Sequence, residues 1–476
     1  KTSTIAMGYI IALVVATIFV VLFYKSDKGN GTPPYRAGLP YLGCMVQYFI
    51  DPTEFLLNLR RKHGSIFAFQ LAGRYIVLLS DTGSIRKYYH ASEDILNASE
   101  ANQDFGFKKQ SLHKVPKLAR HLLLTEIQPK LNEIMSIFDH KLDQYSPLKE
   151  SGSFEIFDTM KTLWRRSFIS TFVGDAMIQE SDFLQMFTQY EKLKVGVIIK
   201  GIFLPKIFLT KSQETLTQKR QEMLNSFVPI MKSIVESYKK DGDASTYIDF
   251  VLRYHESHNL EAPSIETLAD YTLDIVLGAS TNPSILTSQA LLYLISNPKY
   301  MKAAREEIKS VFGEKVEISM EKLNSCKFLD LCVKETLRLC THPIGSMRMA
   351  KVDLTFTSDR GVEYTVPAGS FVGLPHNVLA MDENVFPDPY TFNPDHLGNL
   401  SERVSKSPFS FIPFSGGRHA CPGRNFALIG AKCLLAKWLT EYNFTLQDPT
   451  LPKLKWKGGT TLATRAQAVT VNYNKL

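Results

Sequence analysis

One cysteine of the chain stands in a segment whose residue types could support metal chemistry. Cys421 lies within FIPFSGGRHACPGRNFALIG, residues 411–430, after a glycine-bearing loop and before a Pro-Gly-Arg turn and an apolar run. This pattern predicts that its sulfur lies at or near a helix N-terminus, which favours the thiolate, the form that binds metals. Small residues nearby would let the backbone approach a flat macrocycle closely. These small residues are Ser415, Gly416, Gly417, Ala420 and Gly423.

The alternative for Cys421 is a buried, inert cysteine in a tight turn, but that interpretation leaves the glycines unexplained. The six cysteines of the chain include no CxxC pair and no short, evenly spaced framework. This distribution argues against a disulfide scaffold and against a structural zinc site. Reduced thiols of a cytosolic domain fit it better.

A carboxylate and a guanidinium in the segment LCVKETLRLC could form an ion pair. Glu335 and Arg338 are three residues apart, so they share one face of a helix. Such pairs are common, and an exposed one contributes only about a few tenths of a kcal/mol. The pair gains meaning from its position, 86 residues before Cys421.

Together these segments resemble the cytochrome P450 superfamily, and the resemblance covers essentially the whole chain. The pair in LCVKETLRLC is similar to the family's ExxR motif. The family's haem-binding signature FxxGxxxCxG is matched by Phe414, Gly417, Cys421 and Gly423. The resemblance implies a mainly α fold with small β-sheets, and a haem b whose iron takes its axial thiolate from Cys421.

The resemblance also implies further contacts around the haem. His419 and Arg348 stand where the family has propionate-binding residues, and His113 and Lys117 have the spacing of its WxxxR element. A basic, solvated helix face would give the same spacing. His396 stands where the family completes the ExxR pair with an arginine. Because histidine titrates near neutrality and lacks the guanidinium fork, we expect a weaker triad.

An apolar helix is predicted from about Thr267 to Ile295, and the resemblance identifies it with the family's distal helix. Counting back from the Asn-Pro at its end places Thr281 and Asn282 at the usual acid and alcohol positions. The acid–alcohol pair that guides protons in the family's oxygenases is therefore absent. An asparagine can hold a water molecule, but its amide is a poor proton source. Pro283 removes one backbone hydrogen bond and should loosen the helix here.

Asn282 leaves two functions open, because asparagine at this position is similar to the steroid 7α-hydroxylase and prostacyclin synthase branch. We favour a monooxygenase that inserts one oxygen atom from O2 into a lipophilic substrate, a sterol or another lipid. Its electrons would come from NADPH through a cytochrome P450 reductase. The alternative is an isomerase or dehydratase that rearranges a lipid peroxide without external electrons. A haem protein without turnover is disfavoured by the intact thiolate and ExxR residues.

Contacts with the reductase and with the substrate are expected from the same resemblance. Arg418, Arg424 and Lys432 could meet an acidic reductase. The segments expected around the substrate mix apolar side chains with a few hydroxyls and amides, as in pockets that hold hydrocarbon. The residues expected to contact it are Phe105, Phe107, Val276, Ala279, Asn282, Ile344, Met347, Thr460, Thr461 and Leu462.

The elements that must position these residues form one large catalytic domain, predicted over residues 46–476. The chain has 476 residues, 44% hydrophobic and 21% charged, and no Pro/Gly/Ser-rich linker or repeat divides it. SIFAFQL and RYIVLLS, around residues 65–80, predict a β-hairpin. From Glu126 to about Tyr300 the periodicity is helical. The net charge of +8 suits an acidic partner or an anionic membrane, but no basic run interleaved with aromatics predicts nucleic-acid binding.

The N-terminal segment predicts a membrane anchor over residues 1–28. Ile5–Tyr24 contains no charge and is long enough to cross a bilayer as one helix, and a signal peptide or a core helix is the alternative. The lysines that follow the span place the domain in the cytosol, and we expect a single-pass protein of the endoplasmic reticulum. A proline-rich hinge is predicted over residues 29–45. Leu193–Phe208 is either a second, interfacial patch or a buried helix whose lysines snorkel.

Overall fold

The computed structural model describes residues 31–39, 41–104, 131–179, 181–203, 209–238, 246–345, 347–398, 408–456 and 462–476. The described helices are α1 Met45–Ile50, α2 Pro52–His63, α3 Thr82–His90, α4 Ala98–Asp104, α5 Leu131–Tyr145, α6 Ile156–Phe172, α7 Ala176–Gln179, α8 Ser181–Phe203, α9 Thr210–Ser237, α10 Tyr247–Ser257, α11 Ile265–Ala279, α12 Thr281–Ile295, α13 Pro298–Phe312, α14 Met320–Ser325, α15 Lys327–Cys340, α16 His376–Ala380, α17 Asp395–Gly398 and α18 Arg424–Glu441. The strands are β1 Tyr35–Arg36, β2 Ile66–Leu71, β3 Arg74–Leu79, β4 Leu96–Asn97, β5 Ser151–Glu155, β6 Arg348–Ala350, β7 Leu354–Thr357, β8 Glu363–Val366, β9 Phe371–Gly373, β10 Tyr442–Leu446, β11 Leu454–Lys455, β12 Thr464–Arg465 and β13 Thr470–Lys475. The prediction of a mainly α fold with small β-sheets is confirmed.

The largest sheet is built on the predicted hairpin, which is confirmed as β2 and β3. The two strands pair antiparallel, and Ala72 and Gly73 between them both have positive φ, as a two-residue hairpin turn requires. The sheet has the order β1-β2-β3-β9-β6-β4, and the three smaller sheets are β10-β13-β5, β11-β12 and β7-β8. Strand β1, from the proline-rich connector, pairs with β2 and fixes the connector to the domain.

Two helices, α12 and α18, form the centre of the helical part. In α12 eleven of the fifteen residues are buried, and in α18 every residue from Phe426 to Leu439 is buried. Helices that are buried on all sides are core helices rather than amphipathic surface helices. Helix α12 packs against α6, α15 and α18, so it is the element that the others surround.

The predicted distal helix is interrupted, as Pro283 led us to expect. Helices α11 and α12 are separated at Ser280, which is fully buried. Because Pro283 has no N–H group, the carbonyl of Ala279 cannot receive the bond that a continuous helix would give it. The break therefore lies one residue before Thr281 and two before Asn282.

A short strand inside the region of helical periodicity was not predicted. Strand β5 has the sequence SGSFE and pairs antiparallel with β13, close to the C-terminus. A polar sequence of this kind carries no strand signal of its own, and the pairing is with residues more than 300 positions away. Strand β5 therefore forms because β13, near the C-terminus, pairs with it.

Several predictions fall on residues outside the described part of the chain. No helix among the described residues is long and apolar enough to cross a membrane. The predicted span Ile5–Tyr24 lies outside those residues. The same holds for Phe105, Phe107, His113, Lys117, Thr460 and Thr461.

We predict that Gly430→Ala destabilises the domain by about 1–3 kcal/mol, the usual cost of overpacking a core. A Cβ at Gly430 would lie 2.6 Å from Cη2 of Trp164, and that ring is buried and held by a bond from its Nε1 to Oγ1 of Thr287. The free energy of unfolding in urea measures the effect. Gly196→Ala in α8 is the matched control, because no atom lies within 4 Å of the added Cβ. An equal loss in both variants would contradict the packing argument.

Candidate active site

The Cys421 loop closes on itself directly before α18. The amide of Cys421 donates to O of Phe414 at 2.9 Å, around a 3-10 turn formed by Gly417–His419. Helix α18 starts three residues later, and a Cβ built on its N-cap residue Gly423 would lie 3.9 Å from Sγ of Cys421. The thiol therefore lies beside the N-terminal end of a buried helix of eighteen residues, as the sequence predicted.

Cys421 differs from every other cysteine of the chain in its exposure. It is exposed, whereas the other five, all within the described residues, are buried. Burial raises the pKa of Cys326 and Cys340 to about 11, and it raises that of Cys433 well above the usual range. Those thiols remain protonated at neutral pH. The alternative of a buried, inert cysteine is therefore wrong for Cys421.

Two glycines of the loop serve packing against α3. Gly417 has a φ of +60°, and a Cβ there would lie 2.7 Å from O of Tyr89. A Cβ at Gly416 would lie 3.0 Å from the Tyr89 ring. Gly423, by contrast, meets only the cysteine sulfur. Gly416 and Gly417 are thus required by Tyr89, and the expectation that the small residues of this loop let the backbone approach a macrocycle stays a prediction.

A buried cation lies near this loop. Arg348 in β6 is 2% exposed, and its Nη1 donates to O of Tyr88 at 2.8 Å. Its guanidinium carbon lies 4.2 Å from the centre of the Tyr88 ring. No carboxylate among the described residues forms an ion pair with it. A buried charge without a counter-charge is costly, so this site fits an anionic group such as a haem carboxylate.

His419 lies close enough to Arg348 to be affected by its charge. Burial and then the Arg348 cation lower the pKa of His419, and Glu93 opposes them. The Nε2 of His419 lies 2.6 Å from Oε1 of Glu93. The structure therefore brings together the two predicted propionate-binding residues, and it adds Glu93, which no motif indicated.

The residues present fit a haem with a cysteine ligand. They provide one accessible thiol at a helix N-terminus and a buried guanidinium that forms no ion pair with a carboxylate of the described residues. The half-buried ring of Phe414 stands in the same loop. Cys421 would hold the iron, and Arg348 and His419 would hold the carboxylates.

Glu335 and Arg338 form a fully buried ion pair, with both side chains 0% exposed. The carboxylate accepts from Nη2 of Arg338 at 2.7 Å and from its Nε at 2.8 Å. The same guanidinium donates from Nη1 to O of Ala380 and O of Pro389. The pair therefore ties α15 to the chain between α16 and α17.

His396 completes this network from α17. Its Nδ1 lies 2.9 Å from Oε1 of Glu335, and its Nε2 lies 2.6 Å from O of Pro387. The Nδ1 also lies 3.4 Å from Nη2 of Arg338, so the ring contacts both members of the ion pair. His396 thus stands where the family arginine was expected.

On the distal side, the side chain of Thr281 contacts a carboxylate from another helix. Its Oγ1 donates to Oε1 of Glu191, in α8, at 2.8 Å. The other oxygen of Glu191 accepts from Arg165 and Lys161 of α6, each at 2.6 Å. Burial would raise the pKa of Glu191, but the two cations outweigh it and hold the pKa below its usual range. Sequence reasoning missed Glu191, because it lies 90 residues from Thr281.

The expected substrate residues that the structure describes lie in two places. Val276 and Ala279 are in α11, before the break, and Asn282 follows it. Ile344 and Met347 lie in the loop after α15, where the bridge between Thr341 and Leu462 brings in the C-terminal segment.

Helix α12 also holds the C-terminal segment that contains Leu462. Gln289, fully buried, donates from Nε2 to O of Ala463 at 2.8 Å and accepts from Nε of Arg465 at 3.0 Å. No motif indicated this residue. It links the distal helix to the segment in which substrate contacts were predicted.

One basic residue expected to meet a reductase is buried. Arg418 and Arg424 are exposed, but Lys432 is 4% exposed. Its Nζ donates to O of Leu323 at 3.0 Å and lies 3.3 Å from Oδ1 of Asp330. The prediction that Lys432 contacts a partner is wrong, because the packing around α18 buries its side chain.

Comparison with known proteins identifies one family throughout. The family model of cytochrome P450 matches residues 33–471. The 5-beta-cholestane-3-alpha,7-alpha-diol 12-alpha-hydroxylase of Sus scrofa is 25% identical, over 94% of this chain and 93% of its own length. Lanosterol 14-alpha demethylase of Bos taurus is 24% identical, over 95% and 89%. The solved structure of retinoic acid bound cyanobacterial CYP120A1 has a TM-score of 0.77 and 19% identity, covering 94% of this chain and 100% of that one, which shows a shared fold.

We predict that Glu335→Gln destabilises the domain by about 3–5 kcal/mol, because it leaves the buried Arg338 without a counter-charge. Unfolding in urea, followed by circular dichroism, measures the change. The control is Glu306→Gln, which removes an exposed pair with Lys302 at 3.8 Å and should have no measurable effect. A Glu335→Gln protein as stable as the control would refute the role of the pair.

A second prediction concerns His376 in α16. Its ring packs against Gly345, in the loop that contains Ile344, so closely that a Cβ at Gly345 would overlap Nε2 of the ring. Burial and then His342 lower the pKa of His376 to about 3. The folded pKa lies below the unfolded value, so the stabilising effect is present above about pH 6.5 and is lost as the pH falls. When the pH falls from about 7 to about 5, protonation of this residue should lower the free energy of unfolding by about 2 kcal/mol.

His376→Gln should remove that part of the acid sensitivity, measured as urea midpoints at the two pH values. His140→Gln, at an exposed position in α5, is the control and should leave the pH dependence unchanged. If both variants keep the wild-type dependence, His376 does not carry it.

Proposed function

The chain belongs to the cytochrome P450 family, and from this premise we propose that it is a haem-thiolate monooxygenase in which Cys421 is the axial ligand. Members of this family are oxidoreductases that use a haem with a cysteine thiolate. In the proposed reaction a C–H bond of the substrate becomes C–OH. The second oxygen atom of O2 leaves as water, with two electrons from NADPH and two protons.

The observation that carries the proposal is the position of the Cys421 thiol. It is exposed, whereas the other five cysteines are buried, and it lies beside the N-terminal end of α18. The partial positive charge of a helix N-terminus favours the thiolate over the thiol. Two basic residues, Arg348 and His419, are close by to hold the cofactor carboxylates.

The haem supplies the oxygen chemistry when it is bound, through the electron-rich thiolate on its iron. The protein's own residues position it. Phe414 and Gly423 form part of the loop that positions the sulfur. Because Gly417 has no side chain, that loop can pack closely against α3. Thr281 and Asn282, at the helix break, are the residues that we propose to act on the distal side.

The proposed substrate is a bulky lipophilic molecule, a sterol or another lipid. The names of two relatives indicate a cholestane diol and lanosterol, and the cyanobacterial structure holds retinoic acid. Ile344, Met347 and Leu462, together with Val276, would provide apolar contacts.

An isomerase or dehydratase that rearranges a lipid peroxide is the second candidate. Asn282 favours it, because an asparagine stands where the family's oxygenases usually have an alcohol. Such an enzyme needs neither external electrons nor a reductase. The two candidates therefore differ in their requirement for NADPH.

We further propose an NADPH-dependent cytochrome P450 reductase as partner and the endoplasmic reticulum membrane as location. Arg418 and Arg424 are exposed and could meet an acidic reductase. Residues 1–28 would anchor the chain in a single pass, with residues 29–45 as connector and residues 46–476 as the cytosolic catalytic domain. Support for lipid contact comes from large apolar side chains that are exposed in the connector and at the start of the catalytic domain. They are Leu39, Leu42, Val46, Phe49 and Ile50.

We predict that Cys421→Ser abolishes thiolate ligation while the fold remains, because the side chain is exposed and serine differs from cysteine by one atom. Absorbance of the purified protein in the Soret region measures the ligation, and circular dichroism measures the fold. Cys44→Ser is the control, since a serine can replace its Sγ bond to O of Arg36 at 3.4 Å. A thiolate-type spectrum in Cys421→Ser would disprove the assignment.

The reaction itself is tested with a lipid panel of cholesterol, lanosterol, retinoic acid, dodecanoic acid and a fatty-acid hydroperoxide. Each is incubated aerobically with NADPH and a microsomal reductase, and anaerobically without them. Products with one added oxygen, formed only under the first condition, support the monooxygenase. Isomers or dehydration products of the hydroperoxide, formed without NADPH, would replace it by the second candidate.

A further inference from the structure

The C-terminal segment around Leu462 is attached to the distal helix by one buried glutamine side chain. Gln289 of α12 is fully buried, and its amide group makes two hydrogen bonds to that segment. Its Nε2 donates to O of Ala463 at 2.8 Å, and its Oε1 accepts from Nε of Arg465 at 3.0 Å. Because one amide binds two positions of the same segment, the two bonds fix both its distance from α12 and its orientation.

The segment held by Gln289 lies beside the loop that leads to the site for a haem carboxylate. Leu462 forms a β-bridge with Thr341, at the end of α15. Seven residues after Thr341 the same loop reaches Arg348, the buried cation that fits a haem carboxylate. Leu462 therefore pairs with the beginning of the loop that ends at this cation.

The same face of α12 carries Asn282, next to the helix break. Gln289 follows Asn282 by seven residues, or two helical turns, so the two positions share one face of the helix. At the rise of an α-helix they are about 10 Å apart along its axis. Helix α12 is buried and packs against α6, α15 and α18, which makes it a rigid reference. The Gln289 bonds therefore set the position of the Leu462 segment relative to the helix break.

We propose that Gln289 is a positioning residue that selects which carbon atom of the lipid is oxidised. The inference rests on the proposed monooxygenase function, in which Leu462 gives the substrate an apolar contact. Gln289 acts through the Leu462 segment and does not touch the substrate. Apolar contacts have little directionality of their own, so the position of the surfaces that hold a hydrocarbon decides which C–H bond lies nearest the haem. A displacement of the segment therefore changes the site of oxidation.

The burial of Arg465 argues against a role in stability alone. Its side chain is 7% exposed, and no carboxylate of the described residues forms an ion pair with it. Besides Gln289, its contacts are neutral: Nη1 donates to O of Pro452 at 3.1 Å, and the centre of the Tyr293 ring lies 5.0 Å from the guanidinium carbon. A buried cation without a counter-charge stabilises a core less than an apolar side chain of similar volume would. This network therefore fits a role in positioning.

A role of Gln289 in packing alone makes a different prediction. Loss of a packing residue lowers the amount of folded, haem-loaded protein, so that all products decrease together in proportion to the haem content. Loss of a positioning residue changes the ratio between the positional isomers of the product at constant haem content. The isomer ratio is therefore the measurement that separates the two roles.

Two substitutions at Gln289 distinguish its two bonds. Gln289→Met keeps a side chain of similar size and removes both bonds. Gln289→Glu keeps an acceptor for Arg465 and gives that cation a counter-charge, but a carboxylate cannot donate to O of Ala463. The second variant should therefore retain the stability of the fold while it releases the segment, so that folding and positioning are measured separately.

The variants are compared in the full-length, haem-loaded protein with NADPH, a microsomal reductase and the panel lipids. Each variant should change the ratio of the main positional isomer to the next one by roughly 10- to 100-fold, because a misplacement of about 1 Å can cost about 100-fold in rate. Where the wild-type protein forms a single isomer, new isomers should appear. Haem content, measured by Soret absorbance per protein, should be unchanged in Gln289→Glu.

Hydrogen–deuterium exchange, followed by mass spectrometry, measures the position of the segment without turnover. The amide of Ala463 donates to O of Cys340 at 2.8 Å, and the amide of Ala466 donates to O of Lys453 at 2.9 Å. Both amides are protected only while the segment is in place. Each Gln289 variant should raise the exchange rate of the peptide that contains them by roughly five- to tenfold, as expected from the loss of one buried hydrogen bond.

The matched control is Ser288→Ala, because Ser288 is the neighbouring residue of α12 and is also fully buried. Its hydroxyl donates to O of Ser284 at 2.8 Å and to O of Ile156, in α6, at 3.5 Å. This variant should keep the wild-type isomer ratio and exchange rate. An unchanged isomer ratio or an unchanged exchange rate in Gln289→Glu would overturn the inference. Loss of all products in proportion to haem content would assign Gln289 a role in packing and also overturn it.

Failure of the proposed function looks different. In that case the wild-type protein itself oxygenates no panel lipid, and the inference about the site of oxidation falls with it, while faster exchange in Gln289→Glu still shows that the glutamine holds the segment. A wild-type protein that oxygenates a lipid, together with an unchanged isomer ratio in both Gln289 variants, leaves the proposed function intact and removes only the inference.

Discussion

The buried ion pair between Glu335 and Arg338 is the interaction on which the arrangement of this site depends. Both side chains are completely buried, so each charge would be costly without the other. The guanidinium has donors left after binding the carboxylate, and it uses them on carbonyls of Ala380 and Pro389. One side chain thereby holds α15 against the segment that precedes the Cys421 loop in the chain.

Histidine at position 396 alters this network without leaving its carboxylate short of donors. Oε1 of Glu335 accepts from Arg338 at 2.7 Å and from the amide of Asn393 at 3.1 Å, and it lies 2.9 Å from Nδ1 of His396. The backbone amide cannot titrate, so part of the contribution of the missing arginine is fixed by the fold. Whether the triad is weaker remains a prediction.

Local signals in the sequence were enough for much of the fold and for the centre of the site. The hairpin at residues 66–79, the break before Pro283 and the placement of Cys421 at a helix start all follow from short-range backbone chemistry. Features set by distant partners could not be predicted in this way. Lys432 was predicted to be accessible, but the packing around α18 buries it. Strand β5 forms because β13 pairs with it. Gly416 and Gly417 are explained by Tyr89 on α3 rather than by the loop itself.

The distal side gives the clearest case of a feature that sequence spacing conceals. A search for an acid next to an alcohol along one helix finds Thr281 and Asn282 and concludes that the pair is missing. Spatial neighbours are set by helix packing, however, and the hydroxyl of Thr281 donates to a carboxylate of α8, Glu191, at 2.8 Å. The same carboxylate pairs with Arg165 and Lys161 of α6, so it ties α6 and α8 to the break in the distal helix. An acid can therefore be present at this break although the sequence of the distal helix contains none, and sequence spacing alone does not distinguish the two candidate reactions.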